Sequence, residues 1–166
     1  MRKLAAIALL VFALPVFPQD IKTTILKHLK TSRDFTVQVA EAMPEADFGF
    51  KLTAPQMSFA EQMVHLSQGF DYFLSAFSGE KPNPPKPKSL AKADVIAFQK
   101  AAFQRAIERV SALTPEQINK ESYKGAEGTM SGLELLLGLM DHTTHHRASA
   151  EMYLRAKGIT PPEYKF

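Results

Sequence analysis

Residues 139–150 read LMDHTTHHRASA and place His142, His145 and His146 within five positions of a chain that holds five histidines in all. On a helix, residues four apart lie about 40° apart around the axis and residues three apart about 60°. His142 and His146 therefore project side by side from successive turns, with His145 on the other flank of His142. Two imidazoles so placed can approach one ion, as the paired histidines of zinc-protease helices do. The glutamate of that protease motif is missing, so HTTHH offers ligands and no general base of the HExxH kind. Spacing alone leaves a metal pair and a structural polar cluster both open. It also leaves a 142/145 pair as feasible as a 142/146 pair.

A third ligand has to come from elsewhere in the chain. His65, in EQMVHLSQ, taken alone reads as a satisfied core or surface histidine, and the pair downstream is what raises its interest. His28, in KHLK, is flanked by lysines and reads as solvated. Asp141 adjoins His142 and is either an outer partner that orients a ligand ring or a solvated helix residue. The run Leu133–Met140, LELLLGLM, is apolar nearly all round, as in a helix packed on more than one side. Histidines that continue such a helix face the interior, where an unpartnered imidazole is costly and a metal supplies the partner.

The elements that position these residues read as helices. From Ile21 to about Ala42, apolar residues at Ile21, Ile25, Leu29, Val37 and Ala40 predict a first helix that halts at Met43-Pro44. Ser58-Phe-Ala-Glu61 has the form of a capping box and opens a second helix, whose Phe59, Met63, Leu66, Phe70, Phe73 and Phe77 form a bundle-type seam. Glu61 thereby has a capping role and is not cast as a catalytic base. GEKPNPPKPKS, residues 79–89, carries four prolines and cannot be helical; it reads as a stiff inter-helix loop rather than as a ligand for proline-binding modules.

A third helix is expected from about Leu90 to Leu113 with Val95, Phe98, Ala102, Phe103, Ile107 and Val110 inward, then a capped turn at Thr114-Pro-Glu-Gln117. The last helix starts near Thr129 or at Ser131, which begins another capping-box form, and ends at Gly158. With no convincing strand pattern, the fold class is all-α, a four-helix bundle. The links before the second and the last helix are long enough for crossovers, so simple up-down order is not required.

Composition sets the outer bounds. With 166 residues and 45% hydrophobic types, one domain with one core is expected. Residues 1–19, MRKLAAIALLVFALPVFPQ, combine two cations with an apolar stretch shorter than the ~20 residues of a membrane span, so they read as a secretory signal peptide. The domain proper is then 20–166, exported to the periplasm or outside a bacterial cell, without stable membrane association after processing. Losing Arg2 and Lys3 reduces 20 Lys+Arg to 18 against 17 Asp+Glu, a net of +1, and the charges are interspersed. Nucleic acid is therefore not an expected partner. The absence of cysteine excludes a disulfide framework and a lipid-modified cysteine anchor.

SFAEQMVHL, MDHTTHHRASAEMYLR and the closing KGITPPEY together resemble the DinB/YfiT-like family, four-helix bundles described as metal-dependent enzymes. The resemblance spans essentially the whole mature chain, and HxxHHR, His142 to Arg147, is its most specific part. It implies a divalent metal, zinc or nickel, held by His65, His142 and His146, with His145 and Arg147 as neighbours of the site and not ligands. Ala148-Ser149 stand where Gly-Gln is frequent in the family, which bears on close helix packing there and leaves the ligands untouched. Relatives are described as hydrolases or as transferases and isomerases that use low-molecular-weight thiols. Export favours the first, because a metal-bound water of pKa about 7 needs no reduced thiol pool. The expected partner is a small-molecule substrate, a homodimer is compatible, and a non-catalytic metal-binding bundle is the competing class.

Overall fold

The computed structural model describes residues 21–121, 123–125 and 128–165; the expected leader, residues 1–19, lies outside them. Four long helices form the body: α1 (Ile21–Ala42), α2 (Phe59–Ser78), α3 (Lys92–Ala112) and α5 (Gly132–Ala156), with the short α4 (Pro115–Asn119) between the last two. All three sequence-level capping boxes form reciprocally. Ser58 N donates to Glu61 Oε2 at 2.7 Å, Thr114 N to Gln117 Oε1 at 2.9 Å and Ser131 N to Glu134 Oε2 at 2.6 Å, and each third-residue N–H returns to the cap hydroxyl. Each box satisfies two backbone donors that a helix start leaves open. The last helix therefore begins after Ser131 and not at Thr129.

Among the described residues, one departure in element type is a turn of 3-10 helix, Glu45–Asp47, after α1, and another lies in the link before α5. There β1 (Tyr123–Gly125) pairs antiparallel with β2 (Gly128–Met130), Lys124 opposite Thr129. Strands of three residues carry too little alternation to register in sequence. Their anchor is tertiary: the Tyr123 ring packs 4.9 Å from that of Phe77, and its hydroxyl donates to the Gln117 carbonyl at 3.0 Å.

Around the bundle the order is α1, α3, α2, α5, each packing on its two neighbours. Gln99 Nε2 donates to the Met63 carbonyl, and ten residues on Arg109 pairs with Asp71, so α2 and α3 run parallel. A parallel pair needs a connection that returns along the bundle. The proline-rich link does this: Asn83 N donates to Asp71 Oδ2 at 2.7 Å, Gln68 Nε2 to the Pro85 carbonyl at 3.0 Å, and Lys92 N reaches Glu45 at the end of α1. The full-length crossover is thus the stiff segment 79–91, and not the links before α2 and α5.

The core falls into two apolar clusters. One surrounds Leu29, Leu66, Phe70, Phe103 and Leu139; the other surrounds Phe35, Met43, Phe59, Met63 and Tyr153. Every inward residue expected of α3 is buried. Between the clusters, one level of the bundle buries polar side chains instead: Ser32, Thr36, Ser67, Gln99, Thr143 and Arg147. The histidines of α2 and α5 belong to this level. The run LELLLGLM is not enclosed on all sides, since Leu137 is 47% exposed while Leu135, Leu136 and Leu139 are buried.

Candidate metal centre

Where α2 and α5 cross, three imidazoles converge. His65 comes from α2, and His142 and His146 come from successive turns of α5; one potential ligand atom from each lies within 4.8 Å of the others. The ring centroids are 5.3 Å (65–142), 4.5 Å (65–146) and 4.4 Å (142–146) apart. The antiparallel registration of the two helices is fixed on either side by Phe73 packing on Gly138 and by Gln62 meeting His146. His28 is exposed on α1 and is not one of this group.

The electrostatics suit ligands. Burial, reinforced by the neighbouring imidazoles, depresses His142 and His146 from the ordinary 6.5 to about 4. Both are neutral at pH 7, with a lone pair to offer. His142 Nδ1 is buried and has no hydrogen-bond partner among the described residues, a costly arrangement for a polar atom unless something else satisfies it. Three imidazole nitrogens, one of them without a partner among the described residues, match the donor set of an open divalent-metal site.

Two residues that build the site carried no motif. A Cβ at Gly69 would overlap Cε1 and Nδ1 of His142, so glycine one turn beyond His65 makes the room in which the His142 ring lies. Gln62, one turn before His65 and only 7% exposed, places its carboxamide nitrogen 2.8 Å from His146 Nδ1 and 3.4 Å from the His146 carbonyl oxygen. A glycine inside an otherwise strong helix pattern, costing about 1 kcal/mol relative to alanine, is the signal that could have marked the close approach. Nothing in sequence could have marked Gln62 except its place three residues before His65.

The three expected neighbours separate. His145 is exposed and meets His146 edge-on at 4.9 Å. Asp141 is exposed, and among the described residues no hydrogen bond joins its carboxylate to an imidazole, which fits the solvated reading. Arg147 turns away from the histidines. It is 1% exposed, donates from Nη1 to Ser32 Oγ at 2.7 Å and lies 4.6 Å over the Phe35 ring, so it joins α5 to α1. One residue beyond His146 is about 100° around the helix, which suffices to place it on the opposite side of the seam. At the Ala148-Ser149 departure the helix continues undisturbed, Ala148 exposed and Ser149 Oγ donating to the His145 carbonyl at 2.9 Å.

The family model described as DinB family matches residues 18–166. The chain is 25% identical over 139 residues to the uncharacterized protein YjoA of Bacillus subtilis, covering 82% of this chain and 90% of that one. The crystal structure of this DinB-like YjoA superposes with a TM-score of 0.72 at 22% identity, over 85% of this chain and 96% of that one. A DinB-like protein from Bacillus cereus superposes with a TM-score of 0.73 at 14% identity, over 86% and 97%.

Proposed function

The chain belongs to the DinB family, and from that premise we propose that it is an exported metal-dependent hydrolase of a small molecule. The observation that carries the reading is the convergence of His65, His142 and His146 within ligand distance, with His142 Nδ1 buried and without a partner among the described residues. Zinc or nickel suits an all-imidazole set. A divalent ion held by three neutral ligands keeps its full charge and an open position, and so supplies a Lewis acid and a water of pKa about 7. The rest is done by the protein. Burial, then repulsion from neighbouring imidazoles, keeps His142 and His146 deprotonated at neutral pH. Gly69 and Phe73, whose ring lies 5.8 Å from that of His142, fix the plane of that imidazole.

Support for hydrolysis over thiol chemistry comes from the charged-then-apolar start MRKLAAIALLVFALPVFPQ. It directs the domain to a compartment where small thiols tend to be oxidised. N-terminal sequencing of protein from the native host should find roughly the first 18 to 20 residues removed, and an intact Met1 in a cytoplasmic fraction would remove that support. Metal-loaded protein should turn over at least one member of a panel of esters, amides and phosphoesters, and His142→Ala should abolish it. Turnover seen only with an added small thiol and an electrophile, and lost in His142→Ala, would replace hydrolase with transferase. Silence in both assays with metal bound would leave a non-catalytic bundle.

A further inference from the structure

We infer that Gln62 is the positioning residue of the site: through His146 Nδ1 it decides which nitrogen of that ring carries the proton, and so whether His146 can act as a ligand. The inference rests on the metal-binding reading of the triad. A neutral imidazole has one N–H and one bare nitrogen, and only the bare nitrogen can hold a metal. Gln62 occupies Nδ1 at 2.8 Å, which leaves Nε2 as the nitrogen of His146 open to an ion.

The amide has two faces with opposite consequences. With its NH2 toward the ring it donates to bare Nδ1 and to the His146 carbonyl, the proton sits on Nε2, and the ring cannot ligate. Turned over, its Oε1 accepts from Nδ1–H and Nε2 becomes bare. The second state is the arrangement in which metal-bound histidines commonly donate their other N–H to an oxygen acceptor. Gln62 is 7% exposed, so little water competes for either face. One turn of α2 thus supplies both a ligand, His65, and the partner that orients another ligand on α5.

Two substitutions separate this role from simple packing. Gln62→Leu preserves volume and removes the hydrogen bond; Gln62→Glu keeps an acceptor and, ionised, has no donor. Zinc affinity measured by competition with a chromogenic chelator should fall roughly 10- to 100-fold in Gln62→Leu and stay at or above the wild-type value in Gln62→Glu. Nitrogen-15 NMR of the metal-free protein should show the His146 proton shifted toward Nδ1 in Gln62→Glu relative to wild type, and the wild-type tautomer ratio lost in Gln62→Leu. A core amide that only packs predicts the reverse: Gln62→Leu binding zinc as wild type does, Gln62→Glu the more damaged of the two, and a His146 tautomer indifferent to position 62. That result overturns the inference. Should wild-type protein take up no zinc at all, the metal-binding reading fails, and the His146 tautomer in metal-free protein still decides for or against Gln62.

Discussion

His142 shows how a side chain's role depends on its neighbours more than on its own type. Its spacing from His146 was legible in sequence because i, i+4 geometry is local to one helix. The space that receives its ring was not, because that space exists only when Gly69 of α2 comes opposite it. Gly69→Ala should therefore be damaging despite the greater helix propensity of alanine, about 1 kcal/mol. Metal affinity should drop at least about tenfold, as for loss of a supporting residue, while far-UV circular dichroism stays unchanged; retention of full affinity would show that the ring has room to spare. Arg147 teaches the same lesson in reverse. Adjacent to His146 in sequence, it serves the α1–α5 contact through Ser32 and Phe35.

At the scale of elements, what is encoded within a few residues was readable. The three capping boxes, the stop at Met43-Pro44 and the inward face of α3 all correspond to residues whose partners lie within one or two turns. The connection order was not readable in that way. Whether a link reverses the chain or carries it the length of the bundle depends on contacts such as Asn83 with Asp71 and Lys92 with Glu45, between residues with no common periodicity. The start of α5 is the element on which the site most depends, because it sets the phase of His142 and His146. Ser131→Ala removes the side-chain half of its cap and should cost about 1 kcal/mol of stability, read by urea denaturation. Stability equal to wild type would mean that Gly132 N–H donating to the Lys120 carbonyl, at 3.0 Å, anchors this end unaided.

For the whole molecule, the level that separates the two apolar clusters is polar across all four long helices, and the triad is where that level reaches the α2–α5 seam. Its cost should appear as pH-dependent stability. His142 and His146 have pKa values lowered by burial, then by neighbouring imidazoles, to about 4, so the unfolded chain binds protons that the folded one refuses. Their contribution is intact above the ordinary pKa of about 6.5 and is lost progressively as pH falls toward about 4. Between pH 6.5 and 5 the melting temperature of metal-free protein should fall more steeply than that of a His142→Ala/His146→Ala double variant; equal slopes would show that these rings titrate normally. The decisive measurement is the metal content of purified protein after supplementation with zinc or nickel, by elemental analysis. One divalent ion per chain is expected, most of it lost in His65→Ala, His142→Ala and His146→Ala and kept in His145→Ala and His28→Ala. No ion in the wild-type protein, or a His145→Ala variant as depleted as His146→Ala, would contradict the assignment of the triad as the metal site.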